Sequence, residues 1–341
     1  MTNTPDTALP APALVLQMLT GKWISQAIST AAQLKLADYL AEGSKSIDEL
    51  ASASKTNARA LRGLLRALAS VGVFAERSER FENTPLSDTL RVASPRSLRP
   101  LALFLGDQPT WRAWGELPYV VRTGKSGFRQ AHGELPYEYF AKHPEAGSYF
   151  NEAFTSFSAQ EMDAIHRSFD FSQVEVLADV GDGQGAMLAS ILQKNPRQKG
   201  ILFEQPHVVQ GAEPVIASYG VAPRCELSTG DFFEKVPGGA DGYLLKHVLF
   251  NWNDDDALRI LDAIRRAIPS HGRLFVIDPV IKPESGQTFA KFLDLEMMVL
   301  YDGGCQRTEA EFTRLLERAR FKVQKVVETE APSSIIEAVP A

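Results

Sequence analysis

The sequence predicts an α/β protein: a doubly wound parallel sheet preceded by a mostly helical N-terminal region. Three observations predict it. Short apolar strands alternate with amphipathic helices through the second half of the 341-residue chain. A Gly-rich turn spanning Gly181, Gly183 and Gly185 follows the first of those strands and opens a helix. The N-terminal third instead reads helix, helix, short hairpin, which is the winged-helix order. At ~150 residues per domain the length suggests about two domains. The expected divisions are a flexible tail at 1–12 with three prolines, a winged-helix dimerisation domain at 13–100, pocket-forming helices at 101–170 and a cofactor-binding α/β domain at 171–341.

Taken in order, a helical pattern runs from Leu14 to Leu40, with Trp23, Ile24, Ile28, Leu34 and Leu36 along it. Ser46 and Glu49 have capping-box spacing, so a short helix should follow. A second helix is expected after Asn57, burying Leu61, Leu64, Leu65 and Leu68. Extended pieces at Val71–Ala75 and Arg80–Asn83 complete the hairpin. Residues 100–170 are helical and rich in aromatics. Strands are expected at Val176–Val180, Gly200–Phe203, Tyr243–Leu245 and Arg273–Ile277, with helices at 186–194, Asp255–Ile268 and Glu309–Arg318. Two final strands lie around Val323–Val327 and Ser334–Ala338.

Composition excludes several classes. Forty-four per cent hydrophobic residues rule out a disordered chain. Thirty-six basic against 42 acidic residues give a charge of −6, which argues against a broad nucleic-acid footprint. Arg59, Arg62 and Arg66 share a helix face and would suit DNA, but a solvated face is the simpler reading, and the N-terminal helices are better used in a homodimer. Cys225 and Cys305 are too few for a disulfide framework, and no apolar run reaches the ~18 residues of a membrane span. A cytoplasmic protein is expected. The Asp254–Asp256 run reads as helix-start charge and no metal site is expected.

The ligand signal lies at strand ends. Glycines allow close backbone approach, and their D-x-G-x-G-x-G spacing differs from the dinucleotide fingerprint. Glu204 lies 19 residues past Gly185, where a carboxylate suits ribose hydroxyls. Asp231 and Phe232 then offer a carboxylate and a ring for adenine. Together the three motifs indicate an adenosine-containing ligand.

These residues carry a resemblance. The segments LRALASVGVF (65–74), NTPLSDTL (83–90), LADVGDGQG (177–185), FEQPHVV (203–209), GDFF (230–233), LLKHVLFNWNDDDALRIL (244–261) and RTEAEFTRLL (307–316) resemble the S-adenosylmethionine-dependent small-molecule O-methyltransferases with a winged-helix dimerisation domain, over nearly the whole chain. The group spans plant phenolic and bacterial polyketide-tailoring enzymes. The resemblance implies a class I, Rossmann-like catalytic sheet. It also implies that Gly181, Gly183 and Gly185 hold the methionine portion, Glu204 the ribose, Asp231 and Phe232 the adenine, and Lys246 a further cofactor contact.

The sequence departs from that family at the catalytic base. The family's His-Asp-Trp is Phe250-Asn251-Trp252 here, and its two orienting glutamates align with Asp278 and Gln306. A phenyl ring cannot take a proton. Two readings follow. The enzyme transfers methyl by proximity and orientation, which suffices for an amine, a carboxylate or a hydroxyl more acidic than an ordinary phenol; or it retains the sulfonium charge for hydroxylation, decarboxylation or pericyclic chemistry. His247 and His166 are possible substitute bases, His207 reads as structural, and Asp182 could meet the ligand's amino group. Trp111, Phe154, Phe157, Met162, Phe250, Asn251, Met297 and Tyr301, with Phe292 and Met298, are candidates to surround an apolar, aromatic or polyketide-like small-molecule substrate. A ligand-sensing regulator and a partner-binding pseudoenzyme are the other classes weighed, and the intact glycine turn with Glu204 argues against the latter.

Overall fold

The structure is a computed structural model that describes residues 10–94, 97–181, 183–282 and 289–341. Asp182 and residues 1–9 of the expected tail lie outside the described residues, as does the side chain of His207. The chain packs as two compact units: Met1–Trp111 with Glu145–Ser156, and Arg112–Pro144 with Phe157–Ala341.

In the first unit, the opening helix covers Ala11–Gln33 and stops short of the expected Leu40. Lys35 takes the left-handed conformation at φ 54°, and a separate turn, Leu36–Tyr39, seats Leu36 and Leu40 in the core. Left-handed residues end helices, and because this one is not glycine the break left no mark in the sequence. The predicted capping box forms: Ser46 Oγ accepts from Glu49 N, and Glu49 Oε2 accepts from Ser46 N, at the head of Ile47–Ser54. Asn57 caps Ala58–Ser70 in the same way, and Leu61, Leu65 and Leu68 are buried. The following strand begins at Phe74 rather than Val71. Gly72, at φ 79°, closes the helix, and Val73 N reaches back to Leu68 O at 2.9 Å. Strands β1 (Lys45–Ser46), β2 (Phe74–Arg77) and β3 (Arg80–Asn83) form an antiparallel sheet in the order β1-β3-β2. Their apolar residues join one core with Leu36, Leu50, Leu65, Phe74 and Phe81.

The second unit holds the large sheet. Its strands are β4 (Val176–Val180), β5 (Lys199–Glu204), β6 (Cys225–Thr229), β7 (Gly242–Lys246), β8 (Arg273–Ile281), β9 (Arg307–Thr308), β10 (Phe321–Glu328) and β11 (Ser333–Pro340). The order is β10-β11-β8-β7-β4-β5-β6, with β9 alongside β8. The strands β4 to β8 run parallel. The parallel sheet ends there, because β11 lies antiparallel between β8 and β10. Four residues separate β10 from β11, too few for a crossover, so a hairpin is the only solution. Alternate residues of each strand feed opposite faces: Ala178, Phe203, Tyr243 and Leu245 one core, Leu177, Leu202, Leu244 and Phe275 the other. From β4 the chain winds outward through β5 and β6, then returns to β7 on the other side. The winding of the chain therefore reverses between β4 and β7, at whose carboxyl ends such sheets bind ligands.

Candidate functional site

The glycine turn occupies that switch point. Gly181, Gly183 and Gly185 have φ of 85°, 75° and 75°, values that L side chains avoid. A Cβ on Gly185 would stand 2.8 Å from Leu202 Cδ2, while a Cβ on Gly183 would meet nothing within 4 Å among the described residues. The turn thus packs tightly on the sheet at one end and leaves an open cradle in its middle. Glu204, at the end of β5, is fixed by two backbone donors: Gly183 N reaches Oε1 at 3.1 Å and Gln205 N reaches Oε2 at 2.7 Å. The carboxylate is thereby tied to the turn itself. Beyond β6, Asp231 Oδ1 accepts from Phe233 N at 2.8 Å. The Phe232 ring comes so near Gly181 that a Cβ there would meet its Cε1 at 3.4 Å. The structure therefore brings together the turn, Glu204, Asp231 and Phe232, as strand-end placement requires. Their chemistry fits an adenosyl sulfonium: an open backbone cradle, an oriented carboxylate for a diol and a ring edge beside it.

Lys246, at the end of β7, is turned away from the cradle into a buried ion network. Its Nζ donates to Ser158 Oγ at 2.9 Å and lies 3.8 Å from Glu161 Oε2, with both charged side chains 1 % exposed. Its amine is thus committed to that network. His247 Nε2 lies 3.0 Å from both Glu161 Oε2 and Ser333 Oγ, and its Nδ1 faces Lys246 Nζ at 3.2 Å. An ammonium can only donate, so Nδ1 accepts and the proton sits on Nε2. Burial and the neighbouring Lys246 lower the pKa of His247. Burial opposes ionisation of Glu161, but His247, Lys246 and Ser333 overcome it and hold the carboxyl at about 2. Glu161 was not anticipated. The available signal was a carboxylate between Ser158 and Ile165 on the buried face of its helix.

Phe250, 2 % exposed, lies in the turn Leu249–Asn251 that follows. Its ring stands 5.5 Å from that of His247, which in turn is 5.4 Å from Phe157. Arg307, the second unanticipated residue, clamps this turn. Its guanidinium donates to the carbonyls of Leu249 and Trp252, both at 2.9 Å, and to Asp254 at 2.8 Å. Cys305 N donates to Phe250 O at 2.9 Å, and Asn251 Nδ2 donates to His247 O. The two positions that carry orienting glutamates in the resembling enzymes are sealed. Asp278 and Gln306 are buried, and their side-chain polar atoms lack hydrogen-bond partners among the described residues. Burial pushes Asp278 well above the usual carboxylate range, against the pull of Arg307 and Lys246.

The remaining candidates divide. His166 does not face the acceptor candidates: Nε2 bonds Ser190 Oγ at 2.9 Å, on the helix that the glycine turn opens, and burial and Lys194 lower its pKa to about 4. Met162 packs against the Leu177 and Leu202 core. Trp111 and Phe154 belong to the first unit, where Phe154 lies 4.6 Å from the Phe150 ring. Met297 and Tyr301 are buried at the end of the helix Phe289–Leu300, Tyr301 stacked 5.4 Å from Tyr137. Among the described residues no group of three or more His, Cys, Asp or Glu is placed to hold a metal ion, and no helix is long and apolar enough to cross a membrane.

Fold and site together define a class I methyltransferase whose cofactor is S-adenosylmethionine. The O-methyltransferase domain family matches residues 114–322 and the O-methyltransferase dimerisation domain matches residues 16–93. The chain belongs to this O-methyltransferase family, and it is an S-adenosylmethionine-dependent methyltransferase. It is 40 % identical over 334 residues to a phenazine O-methyltransferase of Lysobacter antibioticus, covering 98 % of this chain and 97 % of that one. It is 38 % identical to the mitomycin biosynthesis 6-O-methyltransferase of Streptomyces lavendulae, covering 98 % and 97 %. Among solved structures, the S-adenosylhomocysteine-bound calicheamicin-biosynthesis methyltransferase CalO1 is 33 % identical with a TM-score of 0.87, covering 98 % of this chain and all of that one.

Proposed function

We propose that the enzyme methylates a small aromatic or polyketide-like metabolite by proximity and orientation, with no imidazole base. The observation that carries this reading is the Phe250 turn: a phenyl ring at the position that the resemblance assigns to the base, clamped by Arg307, with Asp278 and Gln306 buried at the positions it assigns to the supporting residues. The cofactor when bound supplies an activated electrophilic methyl group. The chain's own part is to exclude water and align the acceptor, which accounts for much of the rate when the acceptor is already nucleophilic. Phe157 and Phe250 offer apolar walls, and Asn251 Oδ1, buried and without a partner, can take a donor from the acceptor. The relatives named for phenazine and mitomycin chemistry support an aromatic natural product as substrate.

Within this reading residues 13–100 form the homodimer unit, 101–170 the acceptor helices and 171–341 the cofactor domain. Leu16, Met18, Leu19 and Trp23 are exposed along one helix within the segment matching the dimerisation domain, which supports a homodimer. Arg66 is engaged by Glu76 at 3.2 Å, which speaks against a nucleic-acid face. Free Cys225 and Cys305 suit the reducing cytoplasm. Labelled cofactor incubated with aromatic extracts of the native producer should give a labelled product and S-adenosylhomocysteine. Product formed while the cofactor survives would establish the non-methylating alternative instead. Glu204→Ala should weaken S-adenosylhomocysteine binding at least about tenfold in calorimetry, the loss of a charge-assisted bond, and unchanged affinity removes the ribose assignment.

A further inference from the structure

The helix Phe289–Leu300 is apolar where it is buried, with one exception. Glu296 is 9 % exposed, beside Met297, Val299 and Leu300. Its Oε2 accepts the indole Nε1–H of Trp114, while its Oε1 is enclosed and has no partner among the described residues. A single indole donor needs a single acceptor, and a glutamine oxygen would serve without the cost of burying an ionisable group. An enclosed carboxyl oxygen without a donor is expensive to keep, so its retention calls for a ligand that completes it. An aromatic pair lies close by, since Tyr301 is stacked on Tyr137 and the Glu296 carboxyl raises the pKa of the Tyr301 hydroxyl.

We propose that Glu296 is the residue that selects the acceptor: held through Oε2 by Trp114, it presents Oε1 to an N–H or O–H on the acceptor's aromatic ring. This rests on the reading that the acceptor site lies along Met297 and Tyr301. The enzyme is thereby matched to aminophenol-like or hydroxylated rings over fully substituted ones. Burial supports the assignment by raising the carboxyl to about 7, against the Trp114 bond, so that it answers readily to a donor.

The test uses the full-length enzyme loaded with S-adenosylhomocysteine and two probes, 2-aminophenol and its donor-free analogue N,N-dimethyl-2-methoxyaniline. Calorimetry should show 2-aminophenol binding about tenfold more tightly than the analogue. Glu296→Leu should erase that preference with S-adenosylhomocysteine affinity unchanged. Glu296→Gln, whose amide oxygen still serves Trp114 while an NH2 donor replaces Oε1, guards against misfolding and should lose the preference as well. Difference infrared spectra should show one carboxyl band, absent in Glu296→Gln, that moves when 2-aminophenol binds. A preference that survives in Glu296→Leu, or a Glu296 band unmoved by 2-aminophenol, overturns the proposal. Loss of S-adenosylhomocysteine binding in the unaltered enzyme would overturn the broader functional reading instead.

Discussion

Replacing Glu161 with glutamine should destabilise the enzyme more than any single change on the surface of the sheet domain. Glu161 is 1 % exposed and holds Lys246, His247 and Ser333 in one network. Keeping its carboxyl at about 2 rather than the ordinary 4.5 is worth about 3 kcal/mol at neutral pH, at ~1.4 kcal/mol per pH unit. That agrees with the ~3–5 kcal/mol typical when one partner of a buried pair is removed and the other is left charged. At ~2–4 °C per kcal/mol for a domain of this size, Glu161→Gln should melt ~6–12 °C lower at pH 7. The pH dependence has a definite sign. The folded value lies below the unfolded one, so the stabilisation is complete above pH 4.5 and drains away as pH falls towards 2. Melting curves of both proteins between pH 2 and 8, read by circular dichroism, measure the gap. A variant within ~2 °C of the parent at pH 7, or a gap that fails to narrow below pH 4.5, refutes the reasoning. A double-mutant cycle with Lys246→Met should recover part of the loss, because the stranded ammonium then disappears too.

Other expectations follow from the same structure. Gly185→Ala combines a left-handed backbone with a Cβ 2.8 Å from Leu202 Cδ2, and should cost about 2–4 kcal/mol, read as a lower urea midpoint. Leu19→Glu with Trp23→Glu places charge on residues 68 % and 67 % exposed. Light scattering should show a monomer where the parent is a dimer, and an unchanged mass would remove that helix from the interface. Burial raises Asp278 above its usual range, so its contribution is complete at acid pH and is lost as pH rises through the folded value. Asp278→Asn should therefore gain on the parent in melting temperature between pH 5 and 9, and parallel pH profiles would show that Asp278 ionises freely.

What was legible in the sequence is what depends on local spacing. The glycine turn and Glu204 each follow an apolar strand, and parallel strands deliver their carboxyl ends to one edge, so their convergence could be foreseen, whereas the strand before Asp231, CELST, is too mixed in composition to announce itself. The Ser46–Glu49 box was legible because both partners lie within one turn. The rest depends on partners far apart in the chain. Glu161 acquires its meaning from Ser333, 172 residues away, and Arg307 from carbonyls of Leu249 and Trp252. Glu296 meets Trp114 across 182 residues and looks in sequence like any helical glutamate. Lys35 ends a helix without being glycine, and β11 inserts beside β8 in a direction that its composition does not encode.

His247 stands at φ 56°, in the left-handed region that few residues other than glycine adopt. Its amide is given to Ile277, its carbonyl receives Asn251, and its imidazole is gripped on both nitrogens. Every handle that could let this corner of the chain drift is taken, and none of those handles belongs to position 250. The side chain at position 250 can therefore be exchanged while the backbone corner under it stays put.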